Sequence, residues 1–212
     1  MKILKKSKVA LLMFALFLAV SVAGVWAYFG EEMVAENPFY TVRPEISIVE
    51  IFDPSDNWVP GEEKQKEVQF QNDGNLDMLM RFTVEKTVYG PADDKGNREK
   101  LDSIPTQPGS TNSLFEVQFD QAYLDANFAS QTGNDGITWY YYKKVLGKES
   151  ATDFVIKSIK IADWAGNDYQ DYELHAVVKA EMVQYDETPI AAEETGWPSY
   201  EVSGEAVTWA FE

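Results

Sequence analysis

Along residues 76–84 the apolar side chains fall on every second position. Leu76, Met78, Met80, Phe82 and Val84 share one parity, Asp77, Arg81 and Thr83 the other, and Leu79 alone breaks the rule. Successive strand side chains point to opposite faces, so this pattern predicts a strand with one buried and one wet face. Just upstream, Val68 and Phe70 alternate with Glu67, Gln69 and Gln71. Between the two runs lies Asn72-Asp73-Gly74-Asn75, where Asp-Gly offers the positive φ angles of a tight turn and predicts a hairpin. Residues 172–184 form a second long alternating run, with Tyr172, Leu174, Ala176, Val178, Ala180 and Met182 on one face. Further strands are expected at 45–52, 114–119, 137–146, 154–161 and 206–211. In 154–161 the apolar parity slips from Phe154 and Ile156 to Ile159 and Ile161, which predicts a bulge near Lys157-Ser158. One short helix is expected over 120–128, capped by Asp120, with Leu124 and Phe128 one turn apart. Residues 91–113 and 191–204 are polar and irregular and read as loops. Many antiparallel strands with polar connections predict an all-β fold, a β-sandwich or jelly roll with at most one short helix.

The first thirty residues follow another pattern. Lys2, Lys5, Lys6 and Lys8 precede an uncharged stretch from Val9 to Phe29, which only Ser21 and Gly24 dilute. A basic start, an apolar middle and small residues near its end describe a secretory signal peptide. Cutting between Ala27 and Tyr28 places Val25 and Ala27 at the two positions where a signal peptidase needs modest side chains. The alternative is a retained anchor, because about 20 apolar residues suffice to cross a bilayer. The acidic Glu31 and Glu32 that follow, in place of a basic stop-transfer cluster, favour cleavage. The expected organisation is a signal peptide at 1–27, an arm at 28–44 and a β-sandwich domain at 45–212. The arm is partly apolar, through Phe29, Met33, Val34 and Phe39, and Arg43-Pro44 sets it off from the first strand. Such an arm either adds as a strand to an open sheet edge of a neighbouring subunit or remains without fixed structure.

Charge narrows the function classes. The chain carries 18 basic and 35 acidic residues, and loss of the four leader lysines leaves 14 against 35, a net of −21. Nucleic acid and anionic membrane surfaces repel such a chain. With no cysteine there are no disulfides, thiolate metal sites or thiol nucleophiles. His175 is the only histidine and falls on the polar parity of its strand, so neither a zinc-protease ligand set nor a Ser-His-Asp triad can be built around it. Asp93-Asp94-Lys95-Gly96-Asn97 and the group Asp163, Asn167, Asp168 and Asp171 carry calcium-type oxygen ligands, but neither follows the EF-hand spacing. Both read as solvated acidic loops, and no metal or cofactor is expected. In Trp139-Tyr140-Tyr141-Tyr142 strand geometry sends two aromatics inward and two outward. The outward pair is a candidate surface for stacking on sugars or packing against another subunit, or else it pairs across its own sheet.

Several of these stretches, taken in order, resemble the TasA/camelysin group of Gram-positive biofilm matrix proteins, and more closely its BsaA-like branch. The leader end Gly24-x-Trp26-Ala27-Tyr28-Phe29 is similar to leaders handled by the SipW-type signal peptidase. Val59-Pro60-Gly61, Lys66-x-Val68, Asn72-x-Gly74-Asn75 and Arg81 resemble the opening hairpin of that group. Trp139-Tyr140-Tyr141-Tyr142-Lys143-Lys144-Val145-Leu146 and Ala180-Glu181-x-x-Gln184 resemble two later elements. The resemblance implies a jelly roll and a non-enzymatic, secreted subunit of extracellular matrix fibres at the cell surface. Its partners would be further copies of itself, other matrix proteins or polysaccharide, with a SipW-type peptidase during export. A cell-surface carbohydrate-binding adhesin is the alternative, and a secreted hydrolase a more distant one. Some members of the group are labelled metalloproteases, for which this sequence holds no ligand set.

Overall fold

Alternation becomes strand wherever one parity finds a partner layer to bury it. The structure, a computed structural model, describes residues 45–52, 59–185 and 196–211. The leader cut at Ala27 and Tyr28, and the arm with Phe29, Met33, Val34 and Phe39, lie outside the described residues. The order is β1 (Ile46–Phe52), β2 (Glu63–Asn72), β3 (Met78–Tyr89), β4 (Phe115–Phe119), α1 (Gln121–Asn127), β5 (Phe128–Thr132), β6 (Thr138–Tyr142), β7 (Ile156–Ile161), β8 (Glu173–Gln184), β9 (Ser199–Ser203) and β10 (Ala206–Ala210). These strands form one sheet of order β1-β2-β7-β4, a second of order β5-β6-β3-β8, and the hairpin β9–β10, with every pairing antiparallel. The fold is an all-β sandwich with one short helix.

The inner faces meet in two clusters. Val68 and Phe70 of β2 and Ile156 of β7 face Met80 and Phe82 of β3, Phe128 and Tyr142, with Leu124 of α1 closing one side. Val88, Leu114, Phe115, Ile159, Ile161 and Ala165 form the second cluster, under Leu174 and Ala176 of β8. The longest ladder, β3 against β8, runs from Met78 opposite Gln184 to Tyr89 opposite Glu173. It lets two long alternating runs bury the same parity together. Leu79, the exception to that parity, is fully buried on the other face of β3, beneath the β9–β10 hairpin.

Two expectations need correction. The turn at Asn72-Asp73-Gly74-Asn75 does not close a hairpin, because β2 and β3 belong to different sheets. Gly74 is not among the glycines with positive φ. The Asn72 side chain shapes the crossing instead: its amide nitrogen donates to the carbonyls of Leu76, Leu146 and Gly147 at 2.7, 3.0 and 3.1 Å, and its Oδ1 accepts from Gly74 N. The Asp-Gly hairpin occurs at Asp135-Gly136, where Gly136 has φ 77° and the turn joins β5 to β6. The stretch 191–204 is also not wholly irregular, since its last residues form β9.

Two further expectations hold. Asp120 Oδ1 caps α1 by accepting from Tyr123 N at 3.0 Å. The bulge lies at Lys157: on β4, Gln118 faces Ser158 and Phe119 faces Ile156, which leaves Lys157 without an opposite residue.

Candidate assembly cleft

A sandwich of two open sheets has four edges, and two of them fall on the same side here. β1 ends one sheet and β8 ends the other, and the two strands approach each other. Residues opposite each other in an antiparallel pair share a face. Ile48 faces Phe70, Glu50 faces Val68 and Phe52 faces Lys66, so Ile48, Glu50 and Phe52 are on the inner face of β1. Val68 and Phe70 are fully buried, yet Ile48 is 38% exposed. The second sheet therefore leaves Ile48 partly uncovered, and no described strand beyond β8 covers it. Of the large apolar side chains that stay exposed, Ile48 and Ile51 lie on β1, Val59 lies just before β2, Val177 lies on β8, and Phe211 follows β10.

Beneath this side opens a cleft of about 960 Å³. Leu114, Phe115, Ile159 and Ile161 of the second core cluster line it, with Phe52, Val59, Leu174 and Val177 nearer the rim. Lys66 also lines it and is only 5% exposed. A lysine buried that far needs a partner. Its Nζ lies 2.6 Å from Glu50 Oε1 and 4.7 Å from the centre of the Phe52 ring. An inward charge beside an edge strand is also a device that discourages indiscriminate edge pairing. On the β8 side Glu173 Oε1 and His175 Nε2 are 2.6 Å apart, and Arg98 Nε reaches Glu173 Oε2 at 3.2 Å. The His175 hydrogen bond, aided by the nearby positive charge, holds the Glu173 carboxyl below the ordinary carboxylate value.

The aromatic run divides as strand geometry requires. Tyr140 and Tyr142 point into the main core, where Tyr140 stacks on Phe82 with ring centres 4.9 Å apart. Burial pushes both phenols above their ordinary pKa. Trp139 and Tyr141 point outward but meet their own chain. Tyr141 is 3% exposed under Trp197 and Trp209, and Trp139 stacks on Arg81 at 4.4 Å. The outward pair thus packs mainly against the β9–β10 layer, which leaves Trp139 half-buried and little of Tyr141 for a sugar or a second subunit.

Among the described residues no group of three His, Asp or Glu side chains is placed to hold a metal ion. Asp93 turns its carboxylate onto its own loop, accepting from the backbone of Lys95 and Asn97 and from the Asn97 side chain. Those bonds lower its pKa. Asp163 meets Lys160 at 3.6 Å. His175 sits on the outer parity of β8, as its sequence position predicts, against Glu173 and the Tyr89 ring.

Sequence reasoning did not reach Lys66 and Glu50 as a pair. A signal existed, since Lys66 shares the apolar parity of Val68 and Phe70, but only the register of β1 on β2 brings Glu50 to it. Comparison with family models, with curated proteins and with solved structures gives no match.

Proposed function

We propose that the chain is a secreted, non-catalytic structural subunit of extracellular matrix fibres, of the TasA/camelysin kind and its BsaA-like branch. In this reading a SipW-type peptidase cuts between Ala27 and Tyr28 during export. Residues 28–40 of one subunit then add as a strand to the open side of the sandwich in the next. The observation that carries it is the pair of neighbouring sheet edges, β1 and β8, which no described strand extends, with Ile48 on the inner face of β1 38% exposed. An added strand gains backbone hydrogen bonds along a free edge, while alternate side chains fill the cleft. The adhesin reading draws less support, because Tyr141 is taken up by Trp197 and Trp209.

The test compares protein beginning at Tyr28 with protein beginning at residue 41, by size-exclusion chromatography and negative-stain microscopy. Circular dichroism checks that both are folded, and intact mass of the extracellular protein checks that Tyr28 is its first residue. The longer protein should form fibres and the shorter one should remain a folded monomer. Normal fibres from the shorter protein would overturn strand addition by this arm. Val34→Pro, which removes one backbone donor from the added strand, should weaken assembly without unfolding the domain.

A further inference from the structure

At the β4 end of the first sheet, two turns enclose a second, smaller groove of about 340 Å³. One wall is the turn 106–113, where Thr106 bridges to Ser113 and Gln107 N donates to Asn112 O at 2.9 Å. The other is the turn 162–165, closed by Ala165 N on Ala162 O at 3.1 Å, and it carries Trp164. Glu116 of β4 and Lys160 of β7, opposite each other on the outer face of that sheet, complete the lining. The groove shares no lining residue with the assembly cleft, so its chemistry does not depend on how subunits join. We propose that this groove binds an uncharged hexose chain of a polysaccharide.

Its free polar groups suit hydroxyls. Asn112 Nδ2 donates to Gln107 Oε1 at 3.2 Å, which leaves Asn112 Oδ1 as an acceptor and the Gln107 amide nitrogen as a donor, side by side. Each sugar hydroxyl both donates and accepts, so a neighbouring pair of them meets both amides. Lys160 and Asp163 are 3.6 Å apart, too far for a hydrogen bond, and keep their donors and acceptors for a ligand. The Trp164 indole supplies the apolar surface on which the C–H face of a sugar ring packs, and Tyr169 holds it edge-on with ring centres 5.5 Å apart. Its Nε1–H is shielded from water and, among the described residues, is the one buried side-chain polar atom without a hydrogen-bond partner. A donor left that way costs free energy, and a bound chain that draws the N–H toward one of its hydroxyls recovers it. Other ligands fit less well. The carboxylates of Glu116 and Asp163 outnumber Lys160, so a phosphate or a uronate meets net negative charge. A peptide side chain would find no apolar pocket beyond the indole and Ala162. The sugar-facing aromatic is thus Trp164 and not the outward pair of β6.

The test is an NMR titration of isotope-labelled protein beginning at Tyr28, at about 0.01 M salt, where charge repulsion keeps subunits apart. The probes are cellohexaose, fully N-acetylated chitohexaose and, as the charged control, a galacturonate hexamer. The indole N–H resonance of Trp164, assigned by its absence from Trp164→Phe, should move with at least one uncharged chain at millimolar concentration and stay in place with the galacturonate. Trp164→Phe, which keeps a ring and removes the N–H, should bind more weakly. Gln107→Ala combined with Asn112→Ala should bind about tenfold more weakly, from the hydrogen bonds lost. Trp139→Ala should bind as the wild type does. Circular dichroism checks that each variant folds. The paired amide variant changes only the surface turn, so it decides the matter if Trp164→Phe does not fold. An indole resonance unmoved by both uncharged chains, binding of the galacturonate instead, or full affinity in the folded amide variant would each overturn the site.

Discussion

Phe82 is the side chain on which the two sheets turn. It is fully buried, its ring lies 4.8 Å from Phe70 and 4.9 Å from Tyr140, and Phe128 meets it edge-on at 5.2 Å. Phe82→Ala would leave a cavity among rings that cannot collapse into it, a loss of about 3–5 kcal/mol. Urea denaturation should show it, and a change under about 1 kcal/mol would mean that the cluster repacks freely. Glu173 supplies a different kind of residue-scale test. Its folded pKa lies below the ordinary 4.5, chiefly through the hydrogen bond to His175 and further through the nearby charges of His175 and Arg98. A depressed carboxylate contributes stability that is present above its unfolded pKa and is lost as pH falls through the folded value. A carboxyl-carbon NMR titration should therefore place the Glu173 midpoint below 4.5 in the wild type. In His175→Ala it should move back up toward that ordinary value, and an unmoved midpoint would show that the imidazole is not the cause.

At the scale of elements, Arg81 ties the segment that leads into the β9–β10 hairpin to the second sheet, beside the hairpin's own apolar contacts. Arg81 lies between Trp139 and Trp197, 4.4 and 4.5 Å from their rings, donates from Nε and Nη2 to Glu181 at 2.8 and 2.6 Å, and reaches the Gly196 carbonyl at 3.0 Å. A lysine cannot fork and stack in this way. Arg81→Lys should weaken the docking of the hairpin by about 2 kcal/mol, from the charge-assisted bonds and stacking lost. The readout is faster amide exchange in β9 and β10 with the β3–β8 ladder still protected; uniform exchange would show that the hairpin is not a separate unit. The same elements show what the sequence makes legible. The runs of β3 and β8 are long enough for parity to speak for itself, and the slip in β7 carries its own signature at Lys157. Asp73-Gly74 misleads because a dipeptide permits a turn type without requiring it; the buried Asn72 amide and the pairing of β2 with β1 and β7 take precedence. β9 stays hidden because only Tyr200 and Val202 of its five residues turn inward. The cleft lies beyond reach of any local pattern, since it arises from which strands end each sheet.

Across the whole molecule, charge opposes the proposed assembly. A chain beginning at Tyr28 carries a net charge of −21, so two subunits repel each other before any arm can reach a cleft. Screening acts over about 30 Å at 0.01 M salt and about 10 Å at 0.1 M, which removes most of that long-range repulsion between exposed charges. The contacts proposed for the docked arm are of another kind. Backbone hydrogen bonds along an edge and apolar side chains in the cleft do not depend on long-range charge. Raising sodium chloride from about 0.01 to about 0.15 M should therefore speed fibre growth and lower the concentration at which it starts, as followed by light scattering. The protein beginning at residue 41 should show no growth at either salt concentration, which separates assisted docking from general salting-out. Slower growth at the higher salt would mean that subunits meet through long-range attraction between unlike patches, and a complementary charged surface elsewhere on the sandwich would then have to replace the cleft as the point of first contact.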